Sequence, residues 1–217
     1  MTSEAILQLE ALRAEALACT ACRLAEGRTH VVFGDGSPEA DIVFVGEAPG
    51  QREDEQGLPF VGPSGRLLDQ LLGEIGVERA DVYIANVVKC RPPKNRDPRP
   101  DEIDACKGYL REQLRLIDPS VVVTLGNFST KLLLRTELGI TRMRGTAYEW
   151  WGRYLVPTFH PAAALRGPAQ VLEDMRYDLR LVRDAVDGNL APAPVTEDPA
   201  PSDEPLDDPT QLDLFRG

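Results

Sequence analysis

Four short apolar runs, with helical periods between them and after the last, restrict this chain to one family of architectures. The runs are DIVFVG (41–46), DVYIANVV (81–88), SVVVTLG (120–126) and YLVPTF (154–159), the first three rich in Val and Ile. That is the composition of strands covered on both faces. Leu67, Leu68, Leu71, Leu72 and Ile75 recur at helical spacing after Ser64, a residue suited to cap a helix, and Gly76 is suited to stop it. Ile103, Cys106, Leu110, Leu114 and Ile117 form a second stripe. Pro168 opens a third, with Leu172, Met175, Leu179, Val182 and Val186. Such alternation predicts an α/β fold, a three-layer α/β/α sandwich around a mostly parallel four-stranded sheet. Ligands of such sheets bind beyond the carboxyl ends of the strands, and the motifs that carry chemistry fall there.

Charge divides the chain into two parts. Residues 190–217 hold seven acids against Arg216, so −6 of the formal net charge of −11 sits there and −5 remains on residues 1–189. The stretch APAPVTEDPAPSDEPLDDP (191–209) lacks the apolar surface to offset its ordering entropy. The expectation is a folded domain over 1–189 and a disordered, acidic, Pro-rich tail over 190–217, ending in the apolar pulse QLDLF. The folded part is only mildly acidic, so local basic patches can still meet phosphate. No apolar run is long enough to cross a membrane. Residues 3–17 are interrupted by Glu4, Glu10, Arg13 and Glu15, unlike a secretion signal. These features predict a cytoplasmic protein without a membrane partner, and nothing calls for more than a monomer.

The four cysteines fall into two pairs, Cys19-x2-Cys22 and Cys90-x15-Cys106. In a reducing compartment a disulfide framework is disfavoured. A close C-x2-C pair lets two thiolates clasp one centre from a single turn, and the second pair completes a four-thiolate site. Spacing leaves open whether that site takes a structural zinc ion or an iron–sulfur cluster.

Four segments carry candidate chemistry. Gly46-Glu47-Ala48-Pro49-Gly50 turns tightly at the end of the first run and brings backbone N–H groups and one carboxylate to the sheet edge. Gly57-Leu58-Pro59-Phe60-Val61-Gly62 is a rigid loop presenting Phe60, either as a loop anchor or as a stacking platform. Asn86 interrupts an apolar run; buried there, it must find hydrogen bonds or cost about 1–3 kcal/mol, as a structural amide or as a reader of a ligand edge. His160, one of only two histidines, follows the last run and precedes Pro161, where it suits proton transfer or charge stabilisation. His30 has no comparable neighbours and reads as incidental.

Taken together and in this order, GEAPG, GLPFVGPSG, Asn86 within IANVVKCRPP, HPAAALR and the four cysteines resemble the family 4 uracil-DNA glycosylases, the iron–sulfur branch of their superfamily. The likeness spans roughly residues 3–187. It implies a monofunctional glycosylase that takes uracil from single- and double-stranded DNA, with one [4Fe-4S] cluster on Cys19, Cys22, Cys90 and Cys106; structural zinc is the alternative. It further implies that Phe60 stacks on a flipped uracil, that Asn86 reads its edge, and that the backbone of Glu47, Ala48 and Pro49 contacts the base. His160 would stabilise the anion developing at O2. In the cluster-free branch an aspartate stands one step further along the first turn; here that position is Ala48, so the carboxylate role falls to Glu47, with Glu53 in reserve. Leu165 would fill the hole left by the flipped base. Arg166, Ser64 and the basic loop carrying Lys89, Arg91, Lys94 and Arg96 would face DNA.

The terminal Gln211-Leu212-Asp213-Leu214-Phe215 resembles the QLxLF peptide with which bacterial DNA-processing proteins dock on the sliding clamp, through Gln211, Leu212, Leu214 and Phe215. Two rival readings remain: a non-catalytic nucleic-acid-binding module with a zinc site, and a small electron-transfer protein. The second of these leaves Phe60, Asn86 and His160 without a purpose.

Overall fold

The computed structural model describes residues 3–195; the QLDLF segment and residues 196–210 lie outside them. The strands are β1 (Asp35–Gly36), β2 (Ile42–Gly46), β3 (Tyr83–Asn86), β4 (Val121–Leu125), β5 (Tyr148–Trp150) and β6 (Arg153–Thr158), in the spatial order β1-β3-β2-β4-β6-β5. The four inner strands are parallel, as the four apolar runs predicted. Each edge then gains a short antiparallel strand, β1 beside β3 and β5 beside β6, so the sheet has six strands instead of four. Runs of two and three residues carry too little periodicity to be recognised in sequence.

The helices are α1 (Ser3–Ala18), α2 (Gln51–Gln56), α3 (Pro63–Glu74), α4 (Pro100–Ile117), α5 (Asn127–Leu134), α6 (Ile140–Met143), α7 (Pro161–Arg166) and α8 (Ala169–Val186). None of the described helices is long and apolar enough to cross a membrane. Both sheet faces are covered, and strand residues alternate between two cores. Val43, Val45, Ala85 and Val122 meet α1 and α4 through Leu9, Leu110 and Leu114. Ile42, Phe44, Ile84 and Val123 meet α3 and α8 through Leu68, Leu72, Met175 and Leu179. Each of the Val, Leu, Ile, Phe and Met side chains among them, fully buried, contributes about 1.5–3 kcal/mol.

From β2 the chain crosses by α3 to β3 on one side, and from β3 by α4 to β4 on the other. Crossovers of one hand that move in opposite directions must lie on opposite faces. The loops beyond β2 and β4 therefore part, leaving a crevice at the carboxyl ends.

Two local expectations are corrected. Ser64 does not cap α3: Gly62 stands at the cap and Pro63 occupies the first helical position, where its missing N–H costs nothing, so Ser64 lies within the first turn. The folded domain also extends past residue 189. The Tyr154 hydroxyl donates to the Leu190 carbonyl at 2.6 Å, Ala193 N–H donates to Ala147 O, and Glu149 N–H donates to Ala193 O, both at 2.8 Å. An edge strand leaves backbone groups unpaired, and this extended segment satisfies them.

Candidate active site

The carboxyl ends of β2 and β3 meet the loop before α3 in one small space. Gly46 and Asn86 are register partners in the sheet. A Cβ on Gly46 would collide with Asn86 Oδ1 and lie 3.0 Å from two ring carbons of Phe60, so only glycine lets these side chains converge. Asn86 is 2% exposed, and its Oδ1 finds no hydrogen-bond partner among the described residues. A buried amide oxygen left without a donor costs about 1–3 kcal/mol, a penalty that a bound ligand with an N–H at that point removes.

Phe60 is buried and holds φ at +52°, a left-handed conformation that costs a non-glycine residue about 1–2 kcal/mol. Its surroundings impose it. Arg79 donates to the carbonyls of Pro59 at 2.6 Å and Phe60 at 3.3 Å while paired with Asp69 at 3.0 Å. Glu53 Oε1 accepts from the N–H groups of Val61 and Gly62, both at 3.0 Å. Glu53, expected as a reserve catalytic carboxylate, thus uses one of its oxygens to hold the loop that presents Phe60.

His160 follows β6, with its ring centroid 5.7 Å from that of Phe60. Ala162 N–H donates to Nδ1 at 3.1 Å, so the neutral ring carries its proton on Nε2. Burial, reinforced by Arg166, holds the imidazole down at about 4. His160 is therefore a neutral hydrogen-bond donor across the physiological range. A buried network secures the strand beneath it. Thr158 Oγ1 donates to Asp178 at 2.7 Å, and Arg144 grips the same carboxylate with two donors at 2.8 and 3.0 Å. Glu47, half-buried just beyond β2, is pushed up to about 7, first by burial and then by the charge of Asp97.

Cys19, Cys22, Cys90 and Cys106 line one cavity with Arg28, Lys89 and Tyr109. The packing of α1 against α4 brings the first pair to the second. Arg28 Nη1 donates to Cys90 Sγ at 3.4 Å and Lys89 N–H to Cys106 Sγ at 3.2 Å. Burial pushes the Cys106 thiol up to about 11; coordination to a cation is what makes such a thiolate tenable. Four sulfurs with N–H donors around them are a donor set that fits a metal centre.

The basic loop differs from expectation in two members. Lys89 is not a surface cation: it is 1% exposed, and its Nζ donates to Asn86 O at 2.8 Å and Gln113 Oε1 at 2.6 Å. Its alkyl stem enters the core because residues 82–90 are buried throughout. Arg96 makes a two-pronged pair with the buried Glu102 at 2.6 and 2.8 Å, which holds the loop to the first turn of α4. Arg91 and the exposed Lys94 remain on the outside, with Arg91 Nε–H bonded to Asn95 at 2.7 Å. Leu165, 51% exposed, and Arg166 project from α7, the helix that His160 opens. His30 has a structural partner: its Nδ1 bonds the Asp54 carbonyl at 2.9 Å and ties the segment after Arg28 to α2.

Arg79, Asp178, Arg144 and Gln113 support the site and escaped the sequence reading. Two of them left a signal, since Gln113 and Asp178 are polar residues beside stripe positions, next to Leu114 and Leu179. Arg79 left none.

A crevice at a topological switch point, an unmatched amide, an aromatic face and a neutral histidine form a site whose shape and polarity suit a flat, hydrogen-bonding ring. Residues 33–181 match the family model described as the uracil DNA glycosylase superfamily. A type-4 uracil-DNA glycosylase of Sulfurisphaera tokodaii is 47% identical over 188 residues, covering 81% of this chain and 84% of the relative. Those of Thermotoga maritima and Saccharolobus solfataricus are 48% identical (72% and 85% covered) and 44% identical (88% and 90% covered). The chain belongs to the type-4 family of the uracil-DNA glycosylase superfamily.

Proposed function

We propose that this chain hydrolyses the N-glycosidic bond of deoxyuridine in single- and double-stranded DNA, releasing uracil and leaving an abasic site, the opening step of base excision repair. The observation that carries the reading is the buried, unpartnered Asn86 Oδ1 beside Phe60. A base inside a duplex is out of reach, so the nucleotide swings into the pocket and its ring stacks on Phe60. Asn86 Oδ1 accepts from uracil N3–H and Nδ2 donates to O4. Cytosine offers the opposite pattern and leaves both groups mispaired. As the bond breaks, negative charge grows on the ring and His160 Nε2–H donates to O2, while the Glu47 carboxylate faces the cationic sugar and orients water. Leu165 fills the vacated stack; Arg166, Arg91 and Lys94 meet phosphates.

Cys19, Cys22, Cys90 and Cys106 would hold one [4Fe-4S] cluster, with structural zinc as the alternative. Held by these four residues, the group would serve a structural part, bracing the loop between Cys90 and Cys106. The protein acts as a cytoplasmic monomer.

The test is release of free uracil from a uracil-containing oligonucleotide by the purified, iron-loaded chain. Release establishes the activity. No release from either single or double strands would favour a binding module. The pH profile is a second check. Glu47 acts as a carboxylate and titrates near 7, so kcat/KM rises as pH climbs through 7 and levels above it. Glu47→Gln removes that rise; a profile unchanged by the substitution would reject the assignment.

Gln211–Phe215 fits an apolar pocket of a sliding clamp, and the acidic linker gives it reach on DNA. The full chain is expected to be retained by immobilised bacterial clamp and a chain lacking residues 210–217 to wash through; equal retention would reject the docking role.

A further inference from the structure

Lys89 is the one buried lysine among the described residues. Taking an ammonium out of water is costly, and an apolar side chain of similar length would fill the same space without that cost. What the charge secures is therefore the question. Nζ donates to the Asn86 carbonyl at 2.8 Å and to Gln113 Oε1 at 2.6 Å, with the Phe33 ring centroid 5.9 Å away. Gln113 is itself anchored, its Nε2 donating to Phe33 O at 2.9 Å and Tyr83 Oη at 3.1 Å. On the other side of the same peptide unit, Val87 N–H donates to Gly46 O at 3.0 Å. The peptide that joins Asn86 to Val87 is thus pinned at both ends, by the sheet through its N–H and by Lys89 through its C=O. Among the described residues the Asn86 side-chain oxygen has no hydrogen-bond partner to fix its direction, so the pinned backbone that carries it bears directly on its aim.

We infer that Lys89 is a positioning residue for base recognition: its ammonium holds the Asn86 carbonyl and thereby aims the amide that reads uracil. The inference rests on the role of Asn86 proposed above. It assigns to an interior cation, linked by its own N–H to Cys106, a specificity task in place of a contact with DNA.

The experiment is a double-mutant cycle on the full iron-loaded chain, with Lys89→Met, Asn86→Ala and the pair. Two quantities are read: kcat and KM for uracil release, and affinity for an oligonucleotide carrying non-hydrolysable 2′-fluoro-deoxyuridine against its cytosine counterpart. Misplacing a reacting or reading group by about 1 Å costs on the order of 10²-fold. Lys89→Met is therefore expected to lower kcat/KM by roughly 10–100-fold and to narrow the uracil-over-cytosine binding preference, with iron content unchanged. In the Asn86→Ala background it should cost less than about twofold, because residues acting as a unit are not additive. Equal losses in both backgrounds would show a merely structural lysine and overturn the inference, as would an unaffected Lys89→Met. Should Lys89→Met not fold or hold iron, Gln113→Leu keeps the ammonium and removes its second acceptor. A loss that vanishes with Asn86→Ala then supports the inference, and an additive loss or none overturns it. An inactive wild type would remove the uracil-excision reading and this inference with it, an outcome distinct from an active wild type with an indifferent Lys89→Met.

Discussion

Asn86→Ala is expected to lower kcat/KM for uracil release by about 10³-fold, measured by single-turnover excision from a uracil-containing oligonucleotide. In the proposed role the residue makes two directional contacts to the base, from a site with almost no access to water. Truncation leaves N3–H and O4 of the flipped base desolvated and unpaired, a state the duplex does not impose on them. Because the unmatched groups would be the substrate's, the loss falls on recognition and on the rate together. A fall of less than about tenfold would remove Asn86 from the reading role. The native protein offers an independent check. Asn86 Oδ1 is unsatisfied without ligand, so the Ala variant should not lose the stability normally lost when a buried hydrogen bond is deleted. A thermal midpoint near that of the wild type would accompany the collapse in activity.

His160→Ala is expected to cost about 10²–10³-fold in kcat, the effect of removing one preorganised donor from a developing anion. The acting form is neutral. Burial holds the imidazole at about 4, and Nδ1 accepts from Ala162, so the donor is Nε2–H. The penalty should therefore be the same from pH 6 to pH 9. Were the imidazolium the active form, wild-type activity would decline over that interval, and such a decline would refute the assignment. The same shift has a consequence for stability. The unfolded chain takes up a proton on His160 near 6.5, whereas the folded chain refuses it until about 4. Native stability therefore falls as pH drops between those values, and His160→Ala removes that dependence. Urea unfolding at pH 4.5 and pH 7 distinguishes the two proteins.

These expectations depend on residues whose types were visible in the chain and whose geometry was not. Phe60 was legible as an aromatic on a Gly/Pro loop, but the grip of Arg79 and Glu53 on the backbone around it was not. Glu53 and Glu47 were two candidate carboxylates in one turn. Packing separated them, spending the first on two N–H groups and leaving the second half-buried beside Asp97. The loop at 89–99 looked uniformly cationic, yet Lys89 faces inward and Arg96 is spent on Glu102.

The sequence by itself determined the parallel core of the sheet, the main crossover helices, the four-thiolate site and the family. All of these depend on local periodicity, on spacing or on residue type, quantities already present in the unfolded chain. Tertiary structure alone decided the two edge strands, the bridge from Ala193 to the rim of β5, the inward turn of Lys89 and the absence of a partner for Asn86 Oδ1 among the described residues. Each of these depends on what lies across the fold from a residue. A backbone edge, a buried carbonyl or an amide from a helix many residues away becomes a partner only when packing has brought it within about 3 Å, the reach of a hydrogen bond.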